Sequence, residues 1–211
     1  MSTSPALRAP PRSFAHPEGL SGRAVGALLR RFNSGLNRAV VARLDPRPGE
    51  RVLEIGFGPG HALELLSRRA GASGVAGIDP SQLMVRAAER RNRTRPPEER
   101  VEVRRGRAEQ LPWDPATFSA VLTVNNLLFW DPPEAGLSEV RRVLKPGGRV
   151  LVAFHSTAAR RLLARKGDPL DQLATLLDPW LRRVGLEPGP PEKVPTWSGA
   201  GLLFPATRSL A

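Results

Sequence analysis

The chain has 211 residues, a length that fits one α/β domain with a substantial core, and it contains no cysteine. The missing thiols exclude disulfides, thiolate metal sites and cysteine nucleophiles, and they fit a cytoplasmic protein. The net charge of +12 suggests a nucleic-acid partner, but arginine carries nearly all of it and is spread along the chain. We therefore assign the charge to a solvated surface and disfavour a nucleic-acid partner.

The N-terminal segment 1–20 is rich in Pro, Arg and Ser and lacks the apolar centre of a secretory signal. It is predicted to be a disordered tail, with a lid over the active site as the alternative. No apolar run approaches the roughly 20 residues that a membrane helix needs, so no membrane span is expected. Residues 21–211 are predicted to form a single domain.

Helical and strand patterns alternate after the tail. Apolar residues at helical spacing predict helices, and short apolar runs between turn residues predict buried strands. The predicted helices cover 24–44, 61–70, 80–91, 132–144 and 171–184. The predicted strands cover 51–55, 74–78, 101–104, 118–124 and 149–154, with two weaker strands near 186–194 and 201–206. This alternation indicates an α/β fold with a doubly wound, mostly parallel sheet, in which ligands bind beyond the carboxyl ends of the strands.

The segment 52–60, Val-Leu-Glu-Ile-Gly-Phe-Gly-Pro-Gly, predicts a buried strand that turns directly into a helix. Glycines at every second position allow positive φ, and they let a ligand approach the backbone and the N-terminus of the helix. The spacing differs from a dinucleotide fingerprint, because His61 stands where the third glycine would be, and no P-loop ending follows. Glu54 would repel a diphosphate but suits a ligand with an ammonium or sulfonium charge. The turn therefore favours a cationic nucleoside-like cofactor.

Asp79 directly follows the second predicted strand, so it is expected at the same edge as the glycine turn. A carboxylate at this place can accept hydrogen bonds from both ribose hydroxyls of a nucleoside. A helix N-cap is the alternative role.

Five segments in order resemble the class I S-adenosylmethionine-dependent methyltransferases, in the broad group that includes the ubiquinone and menaquinone biosynthesis type. They are 52–60, Gly-Ile-Asp-Pro-Ser at 77–81, Gly-Arg-Ala-Glu-Gln-Leu-Pro-Trp at 106–113, Phe-Ser-Ala-Val-Leu-Thr-Val-Asn-Asn at 118–126 and Arg-Arg-Val-Leu-Lys-Pro-Gly-Gly-Arg-Val at 141–150. The resemblance implies a cofactor-binding core over about 32–154 and a substrate-side part over 155–211. It also implies a Rossmann-like sheet of seven strands with helices on both faces, the last strand antiparallel and inserted next to the fifth.

The resemblance further implies which residues bind S-adenosylmethionine. Glu54 would support the glycine turn and the positive end of the methionine portion, and His61 would contact the cofactor. The residues that would wrap the methionine portion are Gly56, Phe57, Gly58 and Gly60.

On the nucleoside side, the resemblance places the ribose hydroxyls on Asp79, and it places the adenine between Pro80, Met84 and Ala108. Arg107 stands where the family usually has an Asp or Asn that accepts a hydrogen bond from the adenine amino group, and arginine cannot accept one. Either Glu109 or the backbone takes over this role, or apolar packing holds the adenine.

Polar and aromatic residues follow the fourth predicted strand. Asn125, Asn126 or both are expected to face the cleft and contact the methionine portion, with turn formation as the alternative. Phe129 and Trp130 are interpreted either as an apolar wall near the methyl group or as ordinary core residues.

The implied reaction is methyl transfer to a small organic acceptor by in-line displacement. Such a reaction depends on alignment in a dry cleft, and it needs a general base only if the nucleophile must lose a proton. His155, after the fifth strand, is the candidate base or substrate contact, with a hydrogen-bonded structural histidine as the alternative. No metal-ligand motif occurs in the sequence, so no metal is expected.

Two alternative functions stay open, a nucleic-acid (RNA) methyltransferase and a catalytically inactive methyltransferase-like binding protein. The segment 131–134, Asp-Pro-Pro-Glu, resembles the Asp-Pro-Pro-aromatic signature of DNA amino methyltransferases. It starts about seven residues after the strand, and it ends in Glu134 where an aromatic residue would stack on a flipped base. A helix cap by Asp131, with proline in the first helical turn, is the preferred interpretation.

Overall fold

The computed structural model describes residues 34–71, 74–163 and 167–210, with the side chains of 161 and 162 left aside. The predicted tail and the start of the predicted helix 24–44 lie outside the described residues. The described helices are α1 (Ser34–Leu44), α2 (His61–Ala70), α3 (Gln82–Arg93), α4 (Pro133–Val143), α5 (Ser156–Leu162) and α6 (Pro169–Arg183). The strands are β1 (Val52–Ile55), β2 (Val75–Asp79), β3 (Glu102–Arg105), β4 (Phe118–Val124), β5 (Leu144–His155), β6 (Leu186–Pro188), β7 (Glu192–Thr196) and β8 (Gly199–Arg208).

These strands form one sheet in the order β3-β2-β1-β4-β5-β8-β6, and β7 also pairs with β8. Strands β1 to β5 pair in parallel, whereas β8 lies antiparallel beside β5, with His155 opposite Gly201. The predicted doubly wound, Rossmann-like sheet with an antiparallel last strand next to the fifth is confirmed. The short β7 adds one strand to the expected seven.

Helices cover both faces of the sheet. On one face α1, α2 and α3 contribute buried side chains such as Leu36, Leu66 and Val85, and on the other face α4, α5 and α6 contribute residues such as Leu137 and Leu173. Because side chains alternate along a strand, neighbouring residues of β1 point to opposite faces. The apolar strands are therefore buried on both sides, as a parallel sheet requires. No helix within the described ranges is long and apolar enough to span a membrane.

The C-terminal half departs from the predicted elements in three places. Strand β5 begins at Leu144, directly after α4, although its continuous pairing with β4 starts at Arg149 as predicted. The helix α5 was not predicted, because its seven residues are too few to show a helical period. The predicted strand 186–194 is two short strands, β6 and β7, which pair with opposite ends of β8.

An ion pair fixes one end of α1 at the amino-end edge of the sheet. The Arg149 guanidinium donates to both carboxylate oxygens of Glu50, at 2.8 and 2.6 Å, and to the backbone oxygen of Leu44 at 2.9 Å. The Arg149 guanidinium lowers the pKa of Glu50 to about 2. Since Leu44 ends α1, the N-terminal end of this helix lies toward the opposite, carboxyl-end edge.

Candidate active site at the carboxyl end of the sheet

The glycine turn lies between β1 and α2, at the point where the sheet order reverses between β1 and β4. Gly56, Gly58 and Gly60 have φ values of +74°, +50° and +74°, which explains the glycines at these positions. Gly60 is the N-cap residue of α2, so the turn leads directly into that helix. The ring of Phe57 is buried in the core, so this residue presents its backbone to the cleft.

Asp79 joins the end of β2 to the glycine turn. Its Oδ2 accepts the Gly58 N–H at 2.7 Å, and its Oδ1 accepts the Ser81 N–H at 2.8 Å. Ser81 rather than Asp79 is the N-cap residue of α3, so the alternative role of Asp79 as a cap is wrong. A carboxylate offers about four acceptor sites, so these two backbone bonds are compatible with ribose hydroxyls on the same group.

Glu54 is a buried acid at the floor of the turn, 3% exposed. Its carboxyl group accepts a hydrogen bond from the backbone N–H of Leu63, while Oε2 has no hydrogen-bond partner among the described residues. Burial, and after it the nearby Asp79 carboxylate, raises the pKa of Glu54 to about 8. The neighbouring Asp79 carboxylate accepts hydrogen bonds from two backbone N–H groups. A buried acid beside this carboxylate suits a cationic ligand group, which the ammonium and sulfonium of S-adenosylmethionine supply.

The start of α1 lies over the glycine turn. The Nδ2 atom of Asn37 is 3.4 Å from the Nδ1 atom of His61, the first residue of α2. Asn37 is 8% exposed. Sequence reasoning missed this residue, although a polar residue beside Leu36 on the buried side of an amphipathic helix is a signal that could have revealed it.

The two asparagines after β4 point to different neighbours. The Oδ1 of Asn125 accepts the backbone N–H of His155 at 2.7 Å, so this side chain ties β4 to the end of β5. The side chain of Asn126 lies against Gly56, where any Cβ atom would collide with it, and its Oδ1 accepts the indole N–H of Trp130. Of the two asparagines predicted to face the cleft, Asn126 is therefore the one that contacts the glycine turn. Binding of the cofactor by Asn125 stays a prediction.

His155 is fully buried at the end of β5 and makes two ring contacts. Its Nδ1 accepts the Thr157 N–H at 3.2 Å, which caps α5, and its Nε2 lies 2.9 Å from Ser198 Oγ. An accepting Nδ1 is unprotonated, so Nε2 carries the proton and donates to Ser198. Burial lowers the pKa of His155. This arrangement supports the structural alternative for His155 and does not support a general base.

The residues predicted around the adenine lie at the β2 and β3 side of the cleft. Met84 and Ala108 are buried, at 7% and 4% exposure, in the cores on opposite faces of the sheet. The backbone oxygen of Pro80 accepts from Arg105 Nε at 3.3 Å. Their contacts with adenine stay predictions.

Glu109 has protein partners of its own. Its Oε1 accepts the Asp131 N–H at 2.7 Å, and its Oε2 is 3.4 Å from Arg107 Nε. Glu109 thus ties together two loops of the cleft edge, and its predicted role toward the adenine amino group is not supported. The N-cap residue of α4 is Pro132, without a side-chain cap bond, so the predicted cap by Asp131 is wrong and proline in the first turn is correct.

The geometry agrees with comparisons to known proteins. Residues 52–148 match the family model described as a methyltransferase domain. This match identifies residues 52–148 as a methyltransferase domain. The chain is 29% identical over 134 residues to the uncharacterized methyltransferase YdaC of Bacillus subtilis, covering 64% of this chain and 72% of that relative. It is 38% identical over 120 residues to a demethylmenaquinone methyltransferase of Corynebacterium kroppenstedtii, covering 57% of this chain and 48% of the relative.

The solved structures support the same fold. The structure of a SAM-dependent methyltransferase from Aquifex aeolicus matches with a TM-score of 0.67 and 20% identity, over 87% of this chain and 97% of that one. The match to a methyltransferase domain indicates S-adenosylmethionine as the cofactor. The individual cofactor contacts stay predictions, as does the expected absence of a metal. The described residues contain no group of three or more His, Asp or Glu side chains placed to hold a metal ion.

Proposed function

We propose that this chain transfers a methyl group from S-adenosylmethionine to a small organic acceptor by in-line displacement. The proposal rests on two acidic side chains beside three glycines of positive φ. Glu54 is buried, and its Oε2 has no hydrogen-bond partner among the described residues. Asp79 accepts the backbone N–H of Gly58 in the glycine turn. A single ligand in this cleft would meet both the negative charge and the accessible backbone of the glycine turn. Glu54 would face the positive end of the methionine portion, and Asp79 would hold the ribose.

We place the acceptor on the other side of the switch point, above the carboxyl ends of β4 and β5 and the start of β8. A cofactor over β1 and β2 would point its methyl group toward this side. The relative named a demethylmenaquinone methyltransferase favours a small ring-containing acceptor, although this chain spans about half of that relative's length.

The protein's own contribution would be alignment and exclusion of water. When bound, the cofactor would supply a methyl group on a sulfonium sulfur, which leaves as a neutral thioether. The glycine turn, Asp79 and Asn126 would hold the reacting atoms in line, a contribution that by itself accounts for large rate effects. Since His155 is held as a neutral donor to Ser198, we assign no general base.

The test is transfer of tritium from methyl-labelled S-adenosylmethionine. The purified chain is offered a panel of small phenols, quinols and carboxylic acids in one set, and total RNA and duplex DNA in another. We expect label in at least one small acceptor and none in nucleic acid. Label in RNA alone would overturn the small-molecule proposal, and cofactor binding without transfer to any acceptor would favour the inactive binding protein.

A further inference from the structure

An exposed tryptophan stands at the acceptor side of the cleft edge. The turn of residues 197–198 joins β7 to β8, and because Gly201 lies opposite His155, this turn sits at the carboxyl-end edge. The N-terminal end of α1 reaches the same edge, since Asn37 meets His61 there. Trp197 is 60% exposed, and the described part of the chain has one other large apolar side chain that is exposed, Leu210.

The indole of Trp197 is held in place on one side by the start of α1. Its Nε1 donates to Ser34 Oγ at 3.3 Å. A Cβ atom at Gly35 would lie 3.0 Å from the ring atom Cδ1. Gly35, which has no side chain, therefore leaves room for the indole to pack against α1. The ring is therefore oriented by contacts on its edge.

The backbone of the same turn is held by the end of β5. Ser198 Oγ accepts from His155 Nε2 at 2.9 Å, and Gly199, with φ of +136°, brings the turn close to the imidazole. A single exposed aromatic side chain is ordinary on a protein surface. Trp197 differs because both its ring and its turn are anchored to the edge where the acceptor must enter. Preorganisation of this kind reduces the entropic cost of binding a ligand.

We propose that Trp197 is a specificity-determining residue of the acceptor site and that its indole packs against a planar aromatic acceptor. The His155–Ser198 hydrogen bond positions the turn that carries Trp197. This inference rests on the proposed function and specifies the class of acceptor. Stacked or edge-on aromatic pairs gain energy beyond the area they bury, so a flat ring is preferred to a saturated ring of the same size.

The experiment compares two probes of matched size, 2-naphthol and decahydro-2-naphthol, by calorimetry in the presence of S-adenosylhomocysteine. The wild-type chain is expected to bind the flat probe about three- to tenfold more tightly. Trp197→Leu keeps apolar bulk but lacks a flat ring, and it is expected to bring this ratio close to one, whereas Trp197→Phe retains it. Trp180→Leu is the control. Trp180 lies near the end of α6, and the strand β6 that follows α6 pairs with the C-terminal end of β8, away from the turn of residues 197–198.

A second readout separates this inference from the proposed function. Binding of S-adenosylmethionine is measured for the same variants and should be equal in wild type and Trp197→Leu. If the wild type binds the cofactor but not 2-naphthol, or if Trp197→Leu keeps the wild-type ratio, the role of Trp197 is refuted and the proposed function stands. If the wild type does not bind the cofactor, the proposed function itself fails.

Discussion

Cofactor binding should release a proton from Glu54. Burial and Asp79 raise the pKa of Glu54 to about 8, well above the ordinary 4.5, so the side chain is mostly protonated at neutral pH. A cationic ligand beside it favours the carboxylate and lowers this pKa again. If the bound pKa is about 5 or lower, a free pKa near 8 means that affinity rises about eight- to ninefold between pH 6 and 7.

The same shift has a consequence for stability in the absence of ligand. Because the folded pKa is raised, the folded state holds a proton that the unfolded state loses above pH 4.5, so stability falls as pH rises from there to about 8. A shift of this size corresponds to at most about 5 kcal/mol over that window. Glu54→Gln keeps the shape and removes the titration, so its unfolding free energy should lose this pH dependence.

The assay is calorimetry of S-adenosylmethionine binding in buffers of different ionisation enthalpy, which counts the protons released. Near pH 7 the wild type should release about 0.9 proton, and Glu54→Gln should release close to none while binding more weakly. 5′-Methylthioadenosine, which lacks the ammonium and the sulfonium, should bind without release. His61 and His155 remain in the variant, so release that persists in Glu54→Gln would show that Glu54 is not the group that loses the proton.

Three further predictions follow from individual contacts. Gly56→Ala should lower cofactor affinity at least about tenfold and destabilise the fold by about 1–3 kcal/mol, because φ is +74° and a Cβ atom would collide with Asn126; binding and urea unfolding measure the two effects. Asn126→Ala should cost about 1–3 kcal/mol of unfolding free energy by leaving the Trp130 N–H unpaired, and a Trp130→Phe background should remove most of that cost in a double-mutant cycle. Glu50→Gln should flatten the acid loss of stability: the lowered pKa of Glu50 means that its pairing with Arg149 stabilises above pH 4.5 and is lost as pH falls toward 2, which acid titration of the unfolding free energy detects.

The parts of this fold that follow from local pattern were predictable. The run 52–60 specifies a strand and a turn within nine residues and leads directly into the helix that begins at His61. Each glycine in the run has the positive φ that the pattern requires. Alternating helices and strands indicate a parallel sheet, since the connecting helices cover both faces of such strands. Asp79 could be placed at the cleft because it ends a buried strand.

The contacts that complete the site could not be predicted, because they join distant parts of the chain. Asn125 and Asn126 are neighbours, yet one binds the backbone of His155 and the other lies on Gly56. The sequence gives no register between β5 and β8, so nothing in it indicates that Ser198 would accept from His155. The histidine that follows β5 is thereby held as a donor rather than left available as a base.

The central claim is that the cleft binds S-adenosylmethionine through Asp79. Its most direct test is equilibrium binding of the cofactor to wild type, Asp79→Ala and the control Glu109→Ala, whose carboxylate binds the loop at Asp131 instead. We expect Asp79→Ala to weaken binding at least about tenfold, because charge-assisted hydrogen bonds to the ribose are lost, while Glu109→Ala stays within about threefold of wild type. Unchanged affinity in a folded Asp79→Ala variant would contradict the account.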